Sequence, residues 1–131
     1  MQRDRTVSTL RTGGHTMLMT KRDKIQNYLV AIGEDRWSAF EQLLSEYLSG
    51  KLTDKLKKTG LDNPDIYIDF LDDYKCINIQ GKCKDNYIDI QVEETEFSIG
   101  CDSVEADEHE YHPLESEDRF FETITQTLSA L

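Results

Sequence analysis

The part of the chain that decides the fold is residues 65–101, which read DIYIDFLDDYKCINIQGKCKDNYIDIQVEETEFSIGC. Apolar and polar residues alternate there in four segments, at 65–70, 74–80, 87–92 and 96–101. A period of two is typical of β-strands, whose successive side chains point to opposite faces of a sheet. Parallel strands need a crossover of about a dozen residues or more. Because the connections here are shorter, the pattern predicts a four-stranded antiparallel meander.

The alternation gives the two faces of this sheet different chemistry. One face collects isoleucine, valine and phenylalanine and is expected to receive the helices, whereas the other is polar and acidic with two tyrosines. We predict that the polar face binds a protein, because tyrosines supply rigid contact area and carboxylates and amides supply hydrogen bonds to a basic surface. An ordinary solvated face is the alternative. The predicted partner-binding residues are Asp65, Tyr67, Asp69, Asn78, Gln80, Tyr87, Asp89 and Gln91.

Helices are predicted before and after the strands in the sequence. Apolar residues recur at three- and four-residue steps over 21–32, and again from about 36 to 58 with an interruption at Gly50. Asp35 is the expected cap of the second segment, and Ser116 is the expected cap of a final helix. The resulting order ααββββα has N-terminal helices, a four-stranded antiparallel meander and a C-terminal helix packed on one sheet face. This is an α+β fold.

Residues 21–131 are expected to form a single α+β domain, since a chain of 131 residues suits one domain. Residues 1–20 contain several arginines and no apolar period, so we expect a disordered leader or tail, with Met17 or Met19 as an alternative start. A mitochondrial transit peptide is the competing interpretation, because such peptides are rich in Arg and Ser. Asp4 argues against it.

The charge is divided by position along the chain. Residues 1–60 contain eleven Lys and Arg against seven Asp and Glu, whereas residues 61–131 contain four against nineteen, for a net charge of −11. The acidic half is expected to repel nucleic acid and membrane surfaces and to attract a basic protein. There is no apolar run of about 18 residues, so no membrane span is expected. Three cysteines without a C-x-x-C pair favour a reducing, cytoplasmic location.

Two histidines are the candidate metal ligands. His109 and His112 form an H-x-x-H pair in an acidic segment, 102–113, that is expected to be irregular, and imidazole with carboxylate is a ligand set for zinc or iron. No third ligand stands at a recognisable spacing, so two solvated histidines are favoured and no metal or cofactor is predicted. The sequence has no phosphate-binding loop, dinucleotide fingerprint or nucleophile elbow, and no catalytic residue is predicted.

Size, acidity and the lack of catalytic motifs predict a small intracellular binding domain rather than an enzyme. An immunity protein or antitoxin that occupies the basic site of a nuclease, or a small acidic chaperone, fits these properties. The alternative is an iron- or zinc-handling protein, because the order of helices, antiparallel sheet and closing helix is similar to the frataxin layout. The helix from residue 36 departs from that family, since its acids are only Glu41 and Glu46. The partner's identity and the oligomeric state stay open.

Overall fold

The computed structural model describes residues 19–102 and 109–131 of the chain. The predicted leader, residues 1–20, therefore lies outside the described residues except for its last two. The described part contains four α-helices, five strands and a short 3-10 turn at Glu34–Arg36. These elements are α1 (Lys21–Ile32), α2 (Ala39–Ser49), α3 (Lys51–Lys58), β1 (Asp62–Phe70), β2 (Lys75–Cys83), β3 (Asn86–Val92), β4 (Glu96–Cys101), β5 (His109–Pro113) and α4 (Glu117–Ser129).

The first two helices begin at reciprocal caps. The Thr20 hydroxyl accepts a 3.0 Å hydrogen bond from the Asp23 amide, and the Thr20 amide donates to the Asp23 carboxylate. The Ser38 amide likewise donates a 2.8 Å hydrogen bond to the Glu41 carboxylate. Such a capping box satisfies amides that the first helical turn leaves without partners. The expected cap at Asp35 is therefore wrong: Asp35 lies in the 3-10 turn, and Ser38 caps α2.

Gly50 separates α2 from α3. Its φ of 82° lies in the left-handed region, which glycine adopts without a steric penalty. The helical path resumes at the next residue, and Leu52 and Leu56 place the apolar side of α3 in the core, where both are fully buried. The predicted interruption at Gly50 is thus confirmed.

The strands form an antiparallel sheet in the order β1-β2-β3-β4-β5, which confirms the predicted meander. The β2–β3 connection is only two residues long, because β2 extends to Cys83 and β3 starts at Asn86. Lys84 and Asp85 have φ values of 51° and 68°. Two successive positive φ values suit the twist of a tight hairpin, so the turn is compact although neither residue is glycine.

The sheet has five strands rather than the predicted four. β5 pairs with β4 through Phe97 opposite His112 and Ile99 opposite Glu110, so part of the segment 102–113 is regular structure. The strand carries no apolar alternation, and none of its five residues is buried. Its inner position next to Phe97 is filled by the His112 ring, stacked with 5.2 Å between centroids.

The helices cover one face of the sheet, here called the inner face, and the final helix packs there as predicted. Phe120 of α4 meets Phe97 of β4 edge-on, with ring centroids 4.9 Å apart, and both are fully buried. Each helix contributes to this core. Its buried helical residues include Ile25, Leu29, Phe40, Leu43, Leu44, Leu52, Leu56, Phe120, Ile124 and Leu128, and its strand residues include Ile68, Ile77, Ile79, Ile88, Ile90, Val92, Phe97 and Ile99.

Candidate functional site

The face of the sheet opposite the helices, here called the outer face, carries two rows of residues that cross all five strands. Directly opposed residues of antiparallel neighbours stand on the same face, so the register fixes the members of each row. The first row consists of Tyr67, Asn78, Gln91, Ser98 and Tyr111. The second consists of Asp65, Gln80, Asp89, Gly100 and His109.

The structure brings the eight residues predicted to bind a partner onto this outer face. Six of them belong to the two rows. The other two stand beside the rows, Asp69 opposite Cys76 and Tyr87 opposite Lys82. Asp69 also accepts a 3.0 Å hydrogen bond from the Asn78 amide group. The predicted residues therefore share one continuous surface.

Three tyrosines of the outer face are more than half exposed. The exposed fractions are 59% for Tyr67, 62% for Tyr87 and 71% for Tyr111. Lys21 Nζ lies 4.1 Å from the ring centroid of Tyr67, and Lys82 Nζ lies 4.9 Å from that of Tyr87. The electron-rich face of a tyrosine ring attracts a cation at such distances. The rings of Tyr67 and Tyr87 thus each lie next to a cation of the chain itself.

The carboxylates of the outer face lack strongly basic partners. Within residues 19–102 and 109–131, no lysine or arginine forms an ion pair with any of the five aspartates at this face. In the helical layer, by contrast, Lys55 contacts both Glu46 and Glu117. Glu46 and Glu117 therefore share a cation in the helical layer, whereas among the described residues the outer-face aspartates have only His109, near Asp89, as a basic neighbour within 4 Å. The five aspartates are Asp62, Asp65, Asp69, Asp89 and Asp102.

A groove of about 670 Å³ lies in the outer face near the start of β1. Asp65, Tyr87, Asp89 and His109 stand around it, and Gly100 lies between the last two. A Cβ atom at Gly100 would come 2.5 Å from His109 Nε2, so the absence of a side chain lets the imidazole lie against the strand. In this position His109 Nε2 lies 3.5 Å from Asp89 Oδ2.

The two candidate metal ligands lie on opposite faces of β5. His109 is in the outer row opposite Gly100, whereas His112 stacks on Phe97 at the inner face. Residues three apart in sequence lie on the same face of a helix but on opposite faces of a strand. The pair therefore cannot hold one ion between them. Among the described residues, no group of three or more His, Cys, Asp and Glu side chains is arranged to hold a metal ion.

Cys76 is the buried thiol of the outer face. Burial raises the pKa of its thiol despite a hydrogen bond with the Tyr74 hydroxyl. The same hydrogen bond raises the pKa of Tyr74 to about 12. Since the thiolate is the nucleophilic form of cysteine, this environment disfavours a nucleophilic role for Cys76.

Among the outer-face residues that the prediction of partner-binding residues did not include are Asp62, Asp102, His109 and Tyr111. Asp102 accepts a 2.9 Å hydrogen bond from the Tyr87 amide and so lies beside the groove. If His109–His112 is a strand, the side chains of residues 109 and 111 point to one face of the sheet and those of residues 110 and 112 to the other. That signal was available, but without apolar residues on one side it did not distinguish a strand from a loop.

Comparison with protein-family models, curated proteins and solved structures finds no match for this chain. In the described part of the chain, none of the helices has the length and apolar character needed to cross a membrane. The functional assignment therefore depends on the chemistry of the outer face and its groove.

Proposed function

We propose that residues 21–131 form a small binding domain whose outer face occupies a basic site on a partner protein, as an immunity protein, an antitoxin or an acidic chaperone does. One observation carries the proposal. The outer face combines three exposed tyrosines with aspartates that, in the described ranges, have no Lys or Arg ion partner. Rigid aromatic side chains anchor protein interfaces, and a negative field steers a positively charged partner toward them.

The same charge argues against other partners. A nucleic-acid backbone or an anionic membrane surface would be repelled by an outer face with five aspartates and few cations. Catalysis is not proposed, because the buried Cys76 thiol has a raised pKa and is a poor nucleophile. We place the protein in the cytoplasm, since Cys76 and Cys83 are free thiols, as is usual in a reducing compartment.

Affinity capture from the host organism tests the proposal. The bait is the full chain, compared with the double variant Tyr67→Ala/Asp89→Lys. The matched control is Val30→Ala/Asp54→Lys, which also truncates one large exposed side chain and replaces one exposed aspartate by lysine, but on α1 and α3. We expect the wild type and the control to capture the same basic protein. The outer-face variant should bind it at least about tenfold more weakly in a titration with purified components.

Two outcomes would contradict the proposal. If the outer-face variant retains the affinity of the wild type, the partner binds elsewhere. If the captured protein is acidic, or if its affinity does not fall with added salt, charge complementarity is not the basis of recognition. Titration with ferrous iron or zinc addresses the metal-handling alternative, since saturable micromolar binding at a defined stoichiometry would favour it.

A further inference from the structure

The groove is a concave part of the outer face in which an amide lies between two carboxylates. Asp65, Gln80 and Asp89 are direct neighbours in register on β1, β2 and β3. Adjacent strands lie about 4.8 Å apart, which places the Cα atoms of the two aspartates roughly 10 Å from each other. A cationic group above Gln80 would therefore have the Asp65 carboxylate on one side, an amide oxygen beneath it and, on the other side, the Asp89 carboxylate, whose Oδ2 lies 3.5 Å from His109 Nε2.

The negative charge of the groove exceeds its positive charge. Lys82 contributes one ammonium group, which lies over the Tyr87 ring. Tyr87 precedes Asp89 by two residues, so its ring and the Asp89 carboxylate point to the same side of β3. An incoming cation that takes the place of the Lys82 ammonium at this ring would thus have an aromatic face beside its carboxylate partners. The aspartates that line the groove are Asp62, Asp65, Asp89 and Asp102.

These contacts suit a guanidinium better than an ammonium group. A guanidinium is planar and carries five N–H donors around its edge, so it can donate toward two carboxylates and an amide oxygen while one face lies on an aromatic ring. An ammonium group is a compact and strongly hydrated point charge that lacks this reach. The volume of about 670 Å³ falls in the range of ligand pockets and leaves space for the backbone that bears the side chain.

We infer that the groove is the anchor site for an arginine side chain on an extended segment of the basic partner. The guanidinium lies above Gln80, between Asp65 and Asp89, with Tyr87 at its side. This inference rests on the proposed function and makes it more specific. It distinguishes the groove, which selects arginine, from the rest of the outer face, which contributes contact area.

The test uses the isotope-labelled full chain and the peptide acetyl-Gly-Gly-Arg-Gly-Gly-amide, followed by nuclear magnetic resonance. We expect saturable shifts of the Gln80, Tyr87 and Asp89 amides, with a dissociation constant of about 1 mM, because a single anchored side chain binds weakly. The matching lysine peptide should bind at least about threefold more weakly. A citrulline peptide, which keeps the shape without the charge, should show no saturable shift.

Two charge variants distinguish specific binding at the groove from non-specific electrostatic attraction. Asp65→Asn/Asp89→Asn should weaken the arginine peptide at least about tenfold. Asp72→Asn/Asp73→Asn removes the same charge from the exposed β1–β2 turn and should change the affinity less than about twofold. Amide spectra of both variants establish that they are folded.

Three results would overturn the inference. These are equal losses in the two charge variants, equal binding of the arginine and lysine peptides, or shifts centred on Tyr67 and Tyr111. None of them contradicts the proposed function, which the partner-capture experiment with Tyr67→Ala/Asp89→Lys tests separately. If partner capture survives that variant while the arginine peptide still binds the groove selectively, the groove is a cation site and the proposed protein interface is wrong.

Discussion

The Tyr28 hydroxyl of α1 donates a 3.0 Å hydrogen bond to the Glu41 carboxylate of α2. Glu41 is only 6% exposed and also accepts a hydrogen bond from the Ser38 amide. Burial opposes ionisation of this carboxyl, but the hydrogen bonds from Ser38 and Tyr28 outweigh it and lower the Glu41 pKa below its usual 4.5. One buried carboxylate therefore caps α2 and joins it to α1.

We predict that Glu41→Ala lowers the free energy of unfolding by about 2 kcal/mol near pH 7, because it removes a cap and leaves the Tyr28 hydroxyl without its acceptor. The lowered pKa means that the folded state holds this proton less tightly than the unfolded state. The contribution of Glu41 is therefore present above about pH 4.5 and is lost as the pH falls through the folded-state value. Urea denaturation at pH 7 and at acidic pH measures both effects.

Glu34→Ala is the control, because Glu34 is an exposed acid in the 3-10 turn. An equal loss of stability in the Glu34 and Glu41 variants would contradict the role of Glu41.

A second carboxylate shows the opposite behaviour. Glu46 of α2 shares the Lys55 ammonium with Glu117 of α4. Burial and a hydrogen bond with the Glu117 carboxyl raise the pKa of Glu46 to about 7. Burial also acts on Glu117, but hydrogen bonds with Glu46 and Lys55 outweigh it and lower its pKa. At acidic pH, Glu46 therefore holds the proton that lets two acids and one lysine lie together.

We predict that Glu46→Gln flattens the pH dependence of stability between about 4.5 and 7. In that window the folded wild type binds more protons at Glu46 than the unfolded chain does, so its stability falls as the pH rises. The amide cannot ionise, and Lys55 keeps Glu117 as a partner, so the variant should be more stable than the wild type at pH 8 by on the order of 1 kcal/mol. Thermal denaturation across this range checks the slope. Glu115→Gln, an exposed acid before α4, should leave it unchanged.

The assignment of the two sheet faces can be tested at Ile90. This residue of β3 pairs with Ile79 and Ile99 on the inner face and is fully buried. Ile90→Ala should cost about 2–5 kcal/mol, since it leaves a cavity in a packed core. Val30→Ala, at a position that is 69% exposed, should change stability by less than about 0.5 kcal/mol. An unchanged melting temperature for Ile90→Ala would mean that the inner face is not the core.

The first four strands, β1 to β4, could be predicted because each buries one face, so their polar and apolar residues had to alternate. Ile77, Asn78 and Ile79 of β2 show this directly, with both isoleucines buried in the core and Asn78 on the outer face. The start of α2 could not be located as well. Asp35 and Ser38 both suit a cap by residue type, and only Glu41, three residues after Ser38, distinguishes them.

The sequence predicted which residues belong to the site, but not how these residues are arranged around the groove. Period two alone places Asp65, Gln80 and Asp89 on one face, whereas their alignment in one row depends on the register of three strands. The pairing of β5, which brings His109 to Gly100, depends on contacts made at an edge. None of the five residues of β5 is buried, so burial imposes little pattern on this part of the sequence. This is why the fifth strand and its tyrosine were missed.

Substitution by alanine should affect stability differently at two glycines of the sheet. At Gly81 a Cβ atom would lie 2.7 Å from Leu61 Cγ and 3.0 Å from the Asp62 carbonyl oxygen, and Leu61 is buried in the core. At Gly100 its three nearest neighbours would all be atoms of the His109 ring, a side chain that is 26% exposed. We therefore predict that Gly81→Ala costs about 1–3 kcal/mol and Gly100→Ala less than about 1 kcal/mol.

Urea denaturation measures the two costs, and amide spectra report the local change. Gly100→Ala should shift resonances around Asp89 because the imidazole moves off the strand, while the core resonances near Phe97 and Phe120 stay in place. If Gly100→Ala proves the more destabilising of the two, the His109 ring is held rigidly. The groove would then be a fixed part of the fold rather than a surface whose wall can move.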